Sequence, residues 1–475
     1  MRRRSIRLRL AGRRPNGRRE MAAGGNLFGL SAEARTRLIE KLSSLPAATA
    51  APMPAGEADR LDPATLDGYR EIETIAAAAE YLGIADPFFR AHDGIAGAET
   101  RIGERRYLNF ASYDYLALNG DPRVMKAAKA AIDRYGTTVS ASRMVSGERA
   151  IHRELEQALA RIYRAEDSIA LVSGHAANVT VIGQLLGRDD VIVHDILAHN
   201  SIAEGARLSG ARRVTFRHLD ADAADKALTA ARQRHGQALL VIEGHYSMDG
   251  DAPDLAAFVA VARRHRAWLM VDEAHALGVL GAQGRGSAER AEVDPGDIDI
   301  WMGTLSKSLV GCGGYIAGKQ TLIDYLKRKT PGFVYSVGMA PPMAAAALAA
   351  LEILVAEPER AARLNRNAAL FLDLLRDGGL DTGTSIGAGI VPVITGSSIR
   401  AGRLAQALFE RGIHVQPILY PAVPEQAARL RFFLTAGHRE AQLRDAAAIV
   451  IAEYHRVAAE PVDLAAVVHH LGQIR

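Results

Sequence analysis

From Ile151 to Gly318 the sequence repeats one pattern, a short apolar run followed by a stretch with helical spacing. Apolar runs stand near 168–173, 190–194, 212–216, 238–243, 267–272, 298–304 and 313–317, with helical patterns in most gaps. The stretch before the first run sets Ile151, Leu155, Leu159 and Ile162 on one helix face. Continuous apolar runs are what strands buried on both faces need. The alternation therefore predicts an α/β fold, a mainly parallel sheet covered by helices on both sides. Beyond Pro342 come a long Ala-rich helix, strands near 390–395, 413–419 and 429–434, and closing helices, which predict a smaller α+β lobe. At 475 residues the chain is also too long for one ordinary core. The expected division is a basic, disordered extension with an Ala/Pro linker over 1–60, an N-terminal arm over 61–125, a large domain over 126–345 and a small one over 346–475.

Four stretches carry chemistry. GTLSKSLVGCGGYIAG, 303–318, sets Lys307 between two serines, after an apolar run and before a glycine cluster. Lysines are ordinarily solvated, but one at the end of a buried strand loses water, lowers its pKa and becomes a Schiff-base former. AWLMVDEAHALGVLG, 267–281, reads as a buried strand ending in Asp272, with His275 three residues on. Open α/β sheets bind ligands at such carboxyl ends. DEAH also occurs in helicases, which need a GxxxxGK[ST] loop near their start. The near-match Gly313–Lys319 lies after the DEAH and continues into Gln320, so the nucleotide reading fails. SGHAANVTVIGQLL, 173–186, is a strand end, a glycine and a helix opening with small residues, an anion cradle. In HDILAHNSIAEGARLSG, His199 sits in the loop after the strand near 190–194, a place where a lone histidine is more often structural.

Composition is that of a globular protein, 48% hydrophobic and 24% charged. The one cysteine, Cys312, rules out an internal disulfide and fits a reducing compartment, hence a cytoplasmic protein. The net charge of +4 is a property of the tail. Residues 2–19 hold nine arginines and no acid, and taking them away with Glu20 turns +4 into −4. The body is therefore not expected to bind nucleic acid. The tail itself suits RNA, anionic lipid or an organelle presequence, with a plain disordered extension favoured, and Met21 offers a second start. Residues 26–44 suggest a short amphipathic helix, 45–56 a linker, and Tyr69–Leu82 resumes a helical pattern. No run of 18 apolar residues spans a membrane, which leaves room only for peripheral association. The longest apolar run, Met339–Leu351, starts with two prolines and reads as a helix linking the lobes. No metal-ligand pattern is expected.

The chain resembles the α-oxoamine synthases, pyridoxal 5'-phosphate enzymes of the aspartate-aminotransferase-like fold (fold type I). This family includes 8-amino-7-oxononanoate synthase, 2-amino-3-ketobutyrate ligase, 5-aminolevulinate synthase and serine palmitoyltransferase. The likeness runs from about Tyr107 to about Glu453 through LNFASYDYL, SRMVSGERAIHRELE, SGHAAN, DILAHNSI, EGHYSMDGDAPDL, VDEAHALGVLG, GTLSKS and ARLRFFLTAGH, in that order. The resemblance implies that Lys307 holds the cofactor covalently and shuttles the proton, and that Asp272 keeps the pyridine nitrogen protonated. It implies that His275 and Ser247 meet the phenolic oxygen and that His199 stacks on the ring. It also implies that Gly174, His175, Thr304 and Ser306 hold the phosphate, with His175 where an aromatic residue is common. Arg431 matches the arginine that receives the amino-acid carboxylate. Glu243 and Asn178 fall in cofactor motifs, with packing or capping equally open to them. FVYSVGMAPP resembles a segment that reaches the neighbouring subunit's phosphate, which makes Ser336 a candidate and implies a homodimer; Val337 replaces a hydroxylated residue often found there.

The implied reaction is a decarboxylative condensation of serine, alanine or glycine with an acyl thioester, on coenzyme A or an acyl-carrier protein. Tyr113 stands where biotin- and heme-branch members usually carry Asn, and Ala117 where they carry Gly. Tyrosine there resembles the serine palmitoyltransferase branch and synthase domains attached to polyketide systems. Two rivals remain, an aminotransferase on the same scaffold and a non-catalytic partner subunit. The second usually lacks the lysine, and Lys307 is present.

Overall fold

A computed structural model of the chain describes residues 62–233, 236–461 and Val467. The arginine tail, the helix expected over 26–44 and the linker over 45–56 lie outside the described residues. A helix, Asp67–Tyr81, leads into a small sheet of β1 (His92–Asp93), β2 (Glu99–Ile102) and β3 (Arg105–Asn109). The main sheet follows: β4 (Asp167–Leu171), β5 (Val191–Asp195), β6 (Arg212–Phe216), β7 (Ala238–Glu243), β8 (Trp268–Asp272), β9 (Ile300–Thr304) and β10 (Gly314–Gly318). Its order is β4-β10-β9-β8-β7-β5-β6. β10 pairs antiparallel with both neighbours, and the remaining strands all run the other way. The sheet is therefore mainly parallel, with one reversed strand. Thr304 to Gly314 is too short a link for a parallel crossover, which forces the reversal.

Burial explains why these runs are strands. In β7, Leu240 and Ile242 join the cluster on one face of the sheet while Leu239 and Val241 join the cluster on the other. The covering helices begin where capping chemistry dictates. Ser173, Asp220 and Asp254 each accept a backbone N–H of the first turn of the helix that follows. Met339–Leu351 proves to belong to a core helix, Pro341–Ala356, with both prolines in the first turn where no N–H is missed. It packs on the helices Pro122–Tyr135 and Ala150–Ile162. No single helix among the described residues is long and apolar enough to cross a membrane.

The C-terminal part has its own cluster, built around Phe371, Leu404, Leu408 and Phe432. Its antiparallel sheet runs β11 (Ile390–Ile394), β14 (Arg429–Phe433), β13 (Gln416–Ile418). The strand expected over 413–419 is divided. β12 (Ile413–His414) leaves this sheet and pairs parallel with β3, and only β13 stays. Pro417 has no N–H to donate, which suits β13 to the sheet edge. The arm and the C-terminal part thus share a sheet.

Candidate active site

The carboxyl ends of β4, β5, β7, β8 and β9 open on one edge of the main sheet, and the expected site residues stand there. Register sets Glu243 opposite Asp272 and Asp272 opposite Met302, so the ends of three neighbouring strands are level. Gly174 and His175 follow β4, His199 follows β5, Ser247 follows β7, His275 follows β8, and Thr304, Ser306 and Lys307 end or follow β9. Arg431, on β14, reaches in from the other lobe and donates through Nη1 to the Ser247 carbonyl at 3.0 Å.

A chain of hydrogen bonds orders the interior. Asn178 Nδ2 donates to Asp272 Oδ2 at 2.8 Å and to Ser201 Oγ at 3.0 Å. Ser201 Oγ lies 2.7 Å from His199 Nδ1, and the Ser201 backbone N–H also points at Nδ1, at 3.3 Å. Two donors converging on Nδ1 make it the acceptor and leave the proton on Nε2. Loss of water around the ring lowers the His199 pKa against the pull of Asp272, and Lys307 lowers it further. Its backbone N–H donates to Glu243 Oε1 at 2.6 Å. Burial, and then Asp272 beside it, hold the Glu243 carboxyl well above the usual range.

Lys307 is half-buried, and burial pushes its pKa down to about 8 although Asp272 and Glu243 attract its charge. Its Nζ lies 5.9 Å from the centre of the Tyr113 ring. His275 is buried, and burial with the nearby Lys307 and Arg431 charges drives its pKa well below the ordinary value. Its Nδ1 is 2.8 Å from Tyr115 Oη, and its ring lies nearly parallel to that of Phe433 at 6.2 Å. Tyr115 and Phe433 were not expected here; Tyr115 lies in an irregular segment, where no periodicity marks a residue's facing. Gly278, at φ +80°, lets the loop after His275 press on the lysine segment: a Cβ there would come 2.6 Å from Ser308 Oγ.

Next to Lys307 a cavity of about 390 Å³ opens, lined by Ser306, Ser112, Tyr113, Asn109, Asn119 and His92 among others. Ser336 is not on its wall. It stands half-buried on the surface between Tyr335 and Val337, 86% and 51% exposed. Among the described residues there is no group of three or more metal-ligating side chains.

Residues 105–450 match the family model described as aminotransferase class I and II. The chain belongs to that family. An 8-amino-7-oxononanoate synthase of Geobacter sulfurreducens is 43% identical over 358 residues, 75% of this chain and 90% of the relative. The serine palmitoyltransferase of Sphingomonas wittichii superposes with a TM-score of 0.80 at 30% identity, covering 84% of this chain and all of that one. A serine palmitoyltransferase from S. paucimobilis with a bound PLP–myriocin aldimine gives the same TM-score at 29% identity, again covering 84% and 100%. Within the family the chain is an α-oxoamine synthase of fold type I, a pyridoxal-phosphate-dependent C-acyltransferase.

The donor set of this synthase fits that cofactor. Asn178 Oδ1, on the side chain that holds Asp272, and Arg431 Nε, on the side chain that meets Ser247, are buried without a protein partner. At Gly174 an added Cβ would come 2.9 Å from Thr304 Oγ1, so the glycine keeps the helix N-terminus open beside that hydroxyl.

Proposed function

We propose that the residues gathered at the sheet edge divide the condensation of a small L-amino acid with an acyl thioester as follows. Pyridoxal phosphate, when bound, supplies the electron sink that allows an amino acid to lose its Cα proton. Lys307 Nζ would hold the cofactor, and its neutral amine would be the base that takes that proton. Asp272, oriented by Asn178, would keep a proton on the ring nitrogen. His199 would lie against the ring, and His275 and Ser247 would serve the phenolic oxygen. The backbone of Gly174–His175, with Thr304 and Ser306, would hold the phosphate. Arg431 takes the substrate carboxylate in a bidentate fork, which aligns the Cα–H bond for deprotonation. The net reaction joins the two substrates into an α-amino ketone and releases carbon dioxide and the thiol. The observation that carries this reading is Lys307, its pKa lowered to about 8 by burial, three residues past the end of β9 with Asp272 and Glu243 acting on its charge. Mass spectrometry of products from mixed amino acids and acyl thioesters tests it.

The amino acid is proposed to be serine, ahead of alanine and glycine, with an acyl group longer than acetyl. Tyr113 stands beside Lys307, and a site built around a substrate hydroxyl discriminates strongly against analogues without it. The identity with an 8-amino-7-oxononanoate synthase favours a second reading. The product in that name ends in CH₃–CH(NH₂)–CO, which alanine would provide. Steady-state comparison with one acyl thioester decides between them. Serine is expected to give the higher kcat/KM, and Tyr113→Asn to shift preference toward alanine or glycine. Alanine used at least as well as serine by the wild type would overturn the first reading and favour the second.

The active form is proposed to be a homodimer in which Ser336 serves the partner's phosphate. Its support is an apolar surface. Met144 and Val145, 56% and 81% exposed, lie on a turn joined to the Tyr335–Val337 segment. The Gly338 N–H donates to the Ala141 carbonyl at 3.0 Å, and Arg143 sits 5.2 Å from the Phe333 ring centre. Mixing Lys307→Ala with a phosphate-disrupting change in 333–338 should restore activity in heterodimers. No recovery despite demonstrated subunit exchange would assign the segment to its own subunit.

A further inference from the structure

Behind the proposed site, His218 lies between two carboxylates. Its Nδ1 is 3.0 Å from Asp195 Oδ1, and its Nε2 is 3.2 Å from Asp251 Oδ2. Both acids are buried, and the His218 side chain is 19% exposed. The Tyr246 ring packs edge-on against the imidazole at 4.6 Å. Burial works against a charge on His218, but the hydrogen bonds to Asp195 and Asp251 outweigh it and push the pKa up to about 10. With an acceptor at each nitrogen, only the imidazolium satisfies both contacts.

Each aspartate also organises a loop, Asp195 through its carboxylate and Asp251 through its backbone carbonyl. Asp195 ends β5 and accepts the Leu197 N–H at 2.8 Å and the Leu219 N–H at 2.9 Å, shaping the turn that delivers His199. Asp251 closes the loop after β7. Its carbonyl accepts the Tyr246 N–H and a contact from His245 Nδ1, both at 2.9 Å. That loop presents Ser247, whose carbonyl holds Arg431, and Asp249, which pairs with Arg429 at 2.6 Å. Thr384 adds a hydroxyl from the other lobe to Asp251 Oδ2.

We propose that His218 is a positioning residue that, by bridging Asp195 and Asp251, fixes the spacing between the His199 turn and the Ser247–Arg431 wall. The catalytic consequence rests on the roles proposed above for those residues; the mechanical one does not. Removing the imidazolium leaves two buried acids without their shared cation, a strongly unfavourable arrangement that the loops relieve by moving apart. Small misplacements of substrate-orienting groups are costly.

The test uses His218→Gln holoenzyme, read by amide hydrogen exchange and steady-state kinetics. Exchange is expected to rise in peptides covering 195–199 and 244–251 while the Trp268–Asp272 strand stays protected. The KM for the amino acid should rise on the order of tenfold, with a smaller fall in kcat. Thr384→Val, which removes only the hydroxyl on Asp251, should show the same pattern more weakly and decides the matter if His218→Gln does not fold. Unchanged exchange in both loops would overturn the bridge. Raised exchange with an unchanged KM would overturn its positioning role and trace the failure to the roles given to His199 and Arg431. A uniform loss of protection across the sheet would reduce His218 to a stability element and overturn the proposal.

Discussion

Lys307→Ala is expected to abolish turnover, by roughly 10³-fold or more, while leaving the fold in place. The Lys307 Nζ faces the Tyr113 ring and makes no hydrogen bond or ion pair among the described residues, so truncation breaks no hydrogen bond and removes only its longer-range attraction to Asp272 and Glu243. What disappears is the one amine at the sheet edge with a pKa near 8. Borohydride treatment of the wild type should fix the cofactor to Lys307, as peptide mapping would report, and the variant should retain no covalent link. Labelling at another lysine would sink the assignment. The wild type carries its own control. Below about pH 8 Nζ is an ammonium without a lone pair; above it the amine is neutral and can attack a carbonyl. Covalent capture of added pyridoxal phosphate by the apoenzyme should therefore quicken as pH rises through about 8 and level off above. A rate that is flat or falls over that range would contradict a desolvated lysine.

Asp272→Asn is the second large effect. Its Oδ2 receives Asn178 Nδ2 at 2.8 Å and its Oδ1 receives the Ala274 N–H at 2.9 Å, so the carboxylate is held in one orientation. An amide keeps the shape but can neither carry the charge nor keep a proton on the ring nitrogen. Turnover should fall on the order of 10² or more, the cost of losing preorganised charge stabilisation. Thermal stability should change little, because the strand and its neighbours are untouched. The absorption spectrum of the bound cofactor offers an independent readout, since it responds to protonation of the ring. Near-normal turnover in this variant would mean that another group, Glu243 being the nearest by register, tunes the ring.

Much of this site was legible because its chemistry sits where strands end. Asp272, Lys307 and His199 each follow an apolar run, and a strand's end is a local property of the sequence. The motifs supplied the residue types, and their order supplied the family. The segments that resisted reading are those whose facing or partner is set elsewhere. Tyr115 sits in an irregular stretch, and its hydroxyl meets a histidine 160 residues away. His218 follows β6 and looks like any polar loop residue until Asp195 and Asp251 close on it. The run 413–419 has strand-forming composition, yet nothing along the chain marks the break at Val415 that sends its two halves to different sheets.

By itself, then, the sequence determined the strands of the main sheet, that this sheet is mainly parallel and covered on both faces, and, through its motifs, which side chains are candidates for cofactor chemistry. Only the tertiary structure decided that β10 runs backwards, that His414 and Gln416 belong to different sheets, and that Arg431 enters the site from the second lobe to meet Ser247. The physical reason is that hydrophobic periodicity encodes which face of an element is buried, a local matter of side-chain spacing. Pairing, strand direction and buried ion bridges depend on groups that meet only when loops close, and no spacing along the chain records which group will be opposite.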